Sequence, residues 1–236
     1  MEKFKLIAQN NGQKVECPDC RTGVACFAMQ TNNNKFRGTI GEKVYFKLYG
    51  KYFARTRPDG VAVSQEEKAV NVRLKMQAMG RLGKATKYVT PYGLVSRPKG
   101  ESSTNTFVRL NYGCCSVSDG VAAIDYPQLV FAQGSMMPPV VSVSYQSEDH
   151  SLVFVPEPVV DDSPGCMADD KVYAVVLETG YNQCRLLPLG NRGDGEQQVV
   201  PLHPLWNQEN LHVYVFATNA KGDDASFSSY LTVDTV

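Results

Sequence analysis

Long apolar runs are missing from this chain of 236 residues, and so are the short motifs that usually mark a catalytic site. No stretch approaches the ~18–20 apolar residues of a membrane-spanning helix, so a helical span is excluded. The opening MEKFKLIAQNNGQKVE carries no apolar signal core, and the expectation is synthesis in the cytosol without a signal peptide. Histidine is scarce: His150, His203 and His212 are the three, and none falls in a recognisable catalytic or zinc-protease pattern. A glycine-rich phosphate loop and a nucleophile elbow are also missing. Cys114 and Cys115 stand next to each other without a sequence-adjacent base to generate a thiolate, which argues against cysteine-hydrolase chemistry. Asp161, Asp162, Asp169 and Asp170 lie in turn-like clusters that lack the ordered ligand spacing of a calcium loop, and read as solvated turns. An enzyme is therefore not expected.

Seven cysteines are present, an odd number that includes an adjacent pair, and reduced thiols are the expected state. Cys17-Pro18-Asp19-Cys20 followed by Cys26 is the candidate metal site, since a C-x-x-C turn aims two thiolates at one ion. Zinc takes four ligands and a second C-x-x-C is missing, so a fourth ligand would come from elsewhere, and otherwise no cofactor is expected.

Net charge is zero, yet the charges are segregated. Residues 1–110 hold 20 Lys+Arg and 8 Asp+Glu, whereas residues 111–236 hold 4 and 16. Such polarity points to a charged partner surface or an assembly contact, or else to two halves that face each other within one molecule. The last arrangement needs close approach, because charges separated by more than a Debye length of ~8 Å are screened.

The local patterns are mostly those of strands. Residues 1–34 read as an extended, cysteine-bearing arm ending in the polar run Thr31-Asn32-Asn33-Asn34. In EKVYFKLYGKYFARTRP, Val44, Phe46 and Leu48 alternate with Lys43, Tyr45 and Lys47, a half-buried strand that turns at Gly50 and returns through Tyr52 to Arg55. One helix is expected next. Ser64 and Glu67 have capping-box spacing; Ala69, Val72, Met76, Met79 and Leu82 form its packed face, and Gly83 its C-terminal stop. Beyond Pro91 short strands are expected throughout: Thr106–Leu110, Leu129–Ala132, Val140–Tyr145, Leu152–Val155, Val172–Glu178, Cys184–Leu189, Leu211–Thr218 and Ser226–Val233. The fold class is thus mainly β with minor α+β character. An arm (1–34) precedes a basic hairpin-helix-strand module (35–135) and an acidic immunoglobulin- or fibronectin-III-like β-sandwich (136–236).

Gly41-Glu42-Lys43-Val44, Gly50-Lys51, Arg55-Thr56-Arg57-Pro58, Ser64-Gln65, Asn105-Thr106-Phe107-Val108 and Asp125-Tyr126 carry a family likeness. With them, the run from Gly38 to about Tyr126 resembles an uncharacterised family abundant in Bacteroidota and associated mobile elements. The closing strand Ser226–Tyr230 fits as well. The resemblance implies a short basic hairpin, a helix and a C-terminal sandwich, and a mobile-element source; it implies no established activity.

The candidate interaction surface is Lys43, Lys47, Lys51, Arg55 and Arg57 on the hairpin, extended by Lys68, Arg73, Lys75 and Arg81 on the helix. Such a hairpin can simply bury its aromatics and guard an exposed sheet edge with its lysines, the first reading of the pattern. As a binding surface, cations interleaved with aromatics suit an acidic protein surface before nucleic acid, which they would meet through phosphate contact and base stacking. Tyr181 and Trp206, near expected loops, are candidate anchors for a glycan or protein ligand. The expectation is a non-enzymatic structural subunit, a homo-oligomer that also meets other assembly proteins, in the neck, tail or surface decoration of a bacteriophage virion. An adhesive sandwich module and a nucleic-acid-binding protein are the alternatives.

Overall fold

The computed structural model describes residues 28–31, 35–48, 51–57 and 64–235. Compact units form over Met1–Val63 and Ser64–Val236. The hairpin and the helix that the sequence groups in 35–135 therefore belong to different units. Within the second, the helices share a core with the sandwich strands.

In the first unit β1 (Ala28–Thr31), β2 (Lys35–Ile40), β3 (Lys43–Leu48) and β4 (Lys51–Thr56) form an antiparallel meander in sequence order. The expected hairpin is β3–β4, with Phe46 opposite Phe53 and Val44 opposite Arg55. The end of the expected arm is not free: Ala28–Thr31 pairs with Lys35–Gly38. Cys17, Cys20 and Cys26, the candidate metal ligands, lie outside the described residues.

The second unit opens with helices α1 (Glu67–Ala85), α2 (Thr90–Gly93) and α3 (Ser103–Asn111), then a hairpin of β5 (Cys115–Ser118) and β6 (Val121–Ile124). The sandwich follows: β7 (Val141–Gln146), β8 (Ser151–Pro156), β9 (Lys171–Glu178), β10 (Gln183–Asn191), β11 (Gln198–Pro201), β12 (Leu211–Thr218), β13 (Ser229–Leu231) and β14 (Asp234–Thr235). One sheet has the order β10-β9-β12-β13 and the other β11-β8-β7-β14; every pairing is antiparallel except β14 on β7.

Strands β9 and β12 carry apolar side chains on both faces through their middles because their sheet is covered on both faces. Val172, Ala174, Val176, Val213 and Val215 point into the sandwich core against Val143, Leu152 and Phe154. The alternate residues Val175, Leu177, Tyr214 and Phe216 meet Met79, Leu82, Phe107 and Phe131 in a second core beneath the helices. The unit is thus three layers: helices, sheet and sheet.

Several expectations are corrected. Thr106–Leu110 is helical, not extended: the Ser102 hydroxyl accepts from the Asn105 amide at 3.2 Å and caps α3, and Phe107 then packs 5.2 Å from Phe131. Leu129–Ala132 forms no strand, since side chains take the central backbone groups at Val130 and Phe131. Asn111 accepts from the Val130 amide at 2.6 Å and donates to the Val130 carbonyl at 2.9 Å, and the Phe131 amide donates to Ser228 Oγ. Ser64 does not cap α1; its hydroxyl accepts from the Glu66 amide, and the helix starts at Glu67. Gly83 lies inside α1, where a Cβ would meet Val108 Cγ2 at 3.0 Å and Thr104 Cγ2 at 3.2 Å, so it permits α3 to approach closely. The packed stripe of α1 runs through Asn71, Leu74, Lys75, Ala78, Met79 and Leu82, leaving Val72 and Met76 half-exposed. Hydropathy conceals that stripe because it includes an asparagine and a lysine; the Lys75 ammonium sits 4.4 Å from the Tyr112 ring centre.

Candidate functional site

The described basic side chains of the first unit, Lys43, Arg55 and Arg57, are exposed on or just beyond β3 and β4. Register puts Val44, Phe46, Phe53 and Arg55 on one face of β3–β4, and Lys43, Tyr45, Tyr52 and Ala54 on the other. Phe46 and Phe53 stack at 5.7 Å, and the Arg55 guanidinium lies 6.0 Å from the Phe46 ring centre. Phe53 remains 43% exposed, and Lys43, Arg55 and Arg57 are exposed as well. The side chains of Lys47 and Lys51 are outside the described set. Over residues 1–63 the composition is 11 Lys+Arg against 5 Asp+Glu.

The helix contributes separately. Lys68, Arg73 and Arg81 are exposed on α1, in the second unit, while Lys75 is half-buried against Tyr112. No ion pair joins the helical layer to the acidic strands among the described residues. The recorded pairs, Arg109–Glu101 and Arg192–Asp170, each lie within one layer. The charge polarity is thus not consumed by ion pairs inside this unit.

Carboxylates gather at one end of the sandwich. The β8–β9 and β10–β11 loops are joined there by backbone bonds from Val159 to Arg192, Arg192 to Asp170 and Gly193 to Ala168, at 2.7–3.0 Å. Arg192 is buried at their junction. Its Nη2 donates to the Met137 carbonyl at 2.7 Å, Nη1 to Cys166 Sγ at 3.2 Å, and Nε lies 3.5 Å from Asp170 Oδ2. Asp170, 1% exposed, also accepts from the Met167 amide, so it is an internal counter-ion and not the solvated turn residue expected. The two loops that Arg192 joins expose Glu157, Asp161, Asp162, Asp169, Asp194 and Glu196 together with the 88% exposed Val160, and Lys171 at the start of β9 is the exposed cation beside them. Sequence reading missed this arrangement because nothing local marks Arg192 as a partner of Asp170.

Three thiols of the second unit, Cys114, Cys115 and Cys184, are shifted toward the protonated form. Burial, with Asp125 adding to it, raises the Cys114 thiol, and its Sγ donates to the Gln128 carbonyl at 3.4 Å; burial raises Cys115 too. The Cys184 thiol is pushed up to about 12 by burial. His212 is stacked on Tyr126 at 4.4 Å, bonded to Tyr230, and held below the usual imidazole value by burial.

The two loop anchors separate. Tyr181 is 56% exposed, whereas Trp206 is 4% exposed and belongs to the sandwich core, its Nε1 donating to Gln183 Oε1 at 3.1 Å. One edge of Trp206 reaches an open cleft of about 420 Å³ that Asn182, Gln183, Arg185, His203 and Ala85 also line. Arg185 spans it, its guanidinium 6.0 Å from the indole and its Nη1 donating to the Pro201 carbonyl at 3.4 Å.

No protein-family model, curated protein or solved structure matches the chain.

Proposed function

We propose that this chain is a non-enzymatic structural subunit that assembles by charge-complementary contacts, in the manner of a neck, tail or surface-decoration component of a bacteriophage particle. The observation that carries the reading is the pairing of opposite surfaces on separate compact units. One is a basic and aromatic sheet face at Phe46, Phe53, Arg55 and Arg57; the other is a loop end that exposes six carboxylates on the two loops joined at the buried Arg192. Arg55 and Phe53 on one copy and Asp161, Glu196 and Val160 on another make a head-to-tail contact, the kind that closes into a ring when its rotation permits. Exposed apolar groups inside each charged field supply the desolvated centre, and the charges supply orientation and encounter rate.

The strand order supports the finer reading of the second unit as fibronectin-III-like: β7, β8 and β11 take the A, B and E positions against β9, β10, β12 and β13 as C, C′, F and G. That fold is common among extracellular and particle-surface modules but assigns no activity by itself. A mobile-element source is proposed with it, from the resemblance of the run Gly38 to about Tyr126 to an uncharacterised family abundant in Bacteroidota.

Native mass spectrometry and light scattering across a salt series test the proposal. Oligomers at low ionic strength that dissociate toward 1 M salt, where the Debye length falls to ~3 Å, are the expected result. A monomer at every concentration and salt level overturns it. A complex formed with single-stranded DNA instead would assign the basic sheet to nucleic acid.

A further inference from the structure

The cleft beside Trp206 has a composition unlike the surface around it. Residues 111–236 hold 4 Lys+Arg and 16 Asp+Glu, yet the cleft is lined by one of those four bases, Arg185, and by no carboxylate. Its hydrogen-bonding groups are also directed by their fixed partners. The indole N–H of Trp206 can only donate, so Gln183 must turn its amide oxygen inward, which leaves its NH₂ as a donor at the cleft. The Leu205 amide donates to His203 Nδ1 at 3.2 Å, which places the proton of the neutral ring on Nε2 and makes that nitrogen a second donor. Arg185 uses Nη1 on Pro201 and presents its remaining N–H groups. Asn182 donates through Nδ2 to the Arg81 carbonyl at 3.2 Å and so offers its oxygen as an acceptor. The set is three donors, one of them cationic, one acceptor and the edge of an aromatic ring.

We propose that this cleft binds a sugar acid, a uronic or sialic acid residue. The carboxylate pairs with Arg185, the ring hydroxyls bridge Gln183, His203 and Asn182, and an apolar patch of the sugar lies against the Trp206 edge. A phosphate or simple carboxylate would use Arg185 but leave the amide acceptor of Asn182 without a donor, whereas a hydroxylated ring satisfies both kinds of group. At about 420 Å³ the cleft falls at the small end of ligand sites, a size suited to a sugar unit rather than an extended chain. The inference is independent of the assembly reading, since none of these residues belongs to the basic sheet or the acidic loop end.

Trp206 is the single tryptophan of the chain and lines this cleft, so all intrinsic tryptophan emission comes from a residue at the proposed site. Emission is followed while the full chain is titrated with glucuronate, galacturonate and N-acetylneuraminate, and in parallel with galactose, N-acetylglucosamine and acetate. A saturable change with at least one sugar acid, at a Kd of ~1 mM for a ligand of this size, is expected, with the neutral sugars and acetate inert. Arg185→Gln, at an exposed position, weakens the sugar acid about tenfold or more while circular dichroism and the melting temperature stay unchanged. Silence toward all three acids up to ~10 mM overturns the proposal, given the affinity expected of so small a ligand. An equal response to neutral sugars or acetate, or full binding by the Arg185→Gln chain, overturns it too.

Discussion

Arg192 shows how one residue can decide whether two loops act as one surface. Its guanidinium reaches Met137, Cys166 and Asp170 from a position that is 3% exposed, and its backbone bonds to Val159 and Asp170. Truncation leaves Asp170 buried without a counter-ion, which costs far more than the pair contributes relative to an apolar replacement. Arg192→Ala is expected to lower the urea-unfolding free energy by ~3–5 kcal/mol, and Asp170→Asn added to Arg192→Leu to recover much of that loss. If both variants lose equally, the residues matter through packing rather than charge. Cys184 makes a second residue-scale case. Its thiol is pushed from 9.0 up to about 12, so across that window the unfolded chain ionises while the folded chain stays protonated. The folded state thus binds more protons, and stability that is intact below pH 9.0 declines toward about pH 12. In Cys184→Ala the decline in urea-measured stability should be shallower by up to ~1.4 kcal/mol per pH unit, one proton's worth.

At the scale of elements, the α1–α3 crossing turns on the contrast between two glycines of one helix. A Cβ at Gly83 would press on Val108 and Thr104, while at Gly80 it meets nothing within 4 Å. Gly80→Ala should stabilise by ~0.5–1 kcal/mol through helix propensity, and Gly83→Val should destabilise by ~1–3 kcal/mol through overpacking. Thermal unfolding of the two variants checks both signs. The crossing also shows where sequence patterns suffice. Strands with two-sided apolar runs, β9 and β12, and the alternating β3–β4 hairpin were legible from spacing alone, as was the mainly β class. Helix α3 was not, because Thr106, Phe107 and Val108 have strong β preference and only the Ser102 cap and the contact with Phe131 override it. The segment 129–132 has the composition of a strand, but its partner is the Asn111 side chain, and local sequence does not encode so remote a partner. The candidate site divides in the same way. The basic hairpin was visible as alternating lysines and aromatics, whereas Asp170, Arg192 and the cleft around Arg185 depend on residues brought together across loops.

For the whole molecule, segregated charge makes a demand that neutral surfaces do not: reversing one partner must be repairable by reversing the other. Arg55 and Arg57 are exposed on the basic sheet, and Asp161 and Glu196 are exposed at the acidic loop end. Arg55→Glu with Arg57→Glu puts two carboxylates at the contact residues of the sheet; Asp161→Lys with Glu196→Lys puts two ammonium groups at the contact residues of the loop end. Neither can repeat a head-to-tail contact with its own kind, so each alone should remain monomeric at low salt in light scattering. Mixed in equal amounts they present each reversed surface with its complement, and assembly should return in alternating order. The same four changes in one chain should assemble as the unaltered protein does. Higher salt should weaken all of these assemblies together, because exposed charges are screened within a few ångströms at ~1 M. Assembly by either single-surface variant, or a mixture that stays monomeric while the unaltered chain assembles, would place the contact on other surfaces, such as the half-exposed Val72 and Met76 of α1.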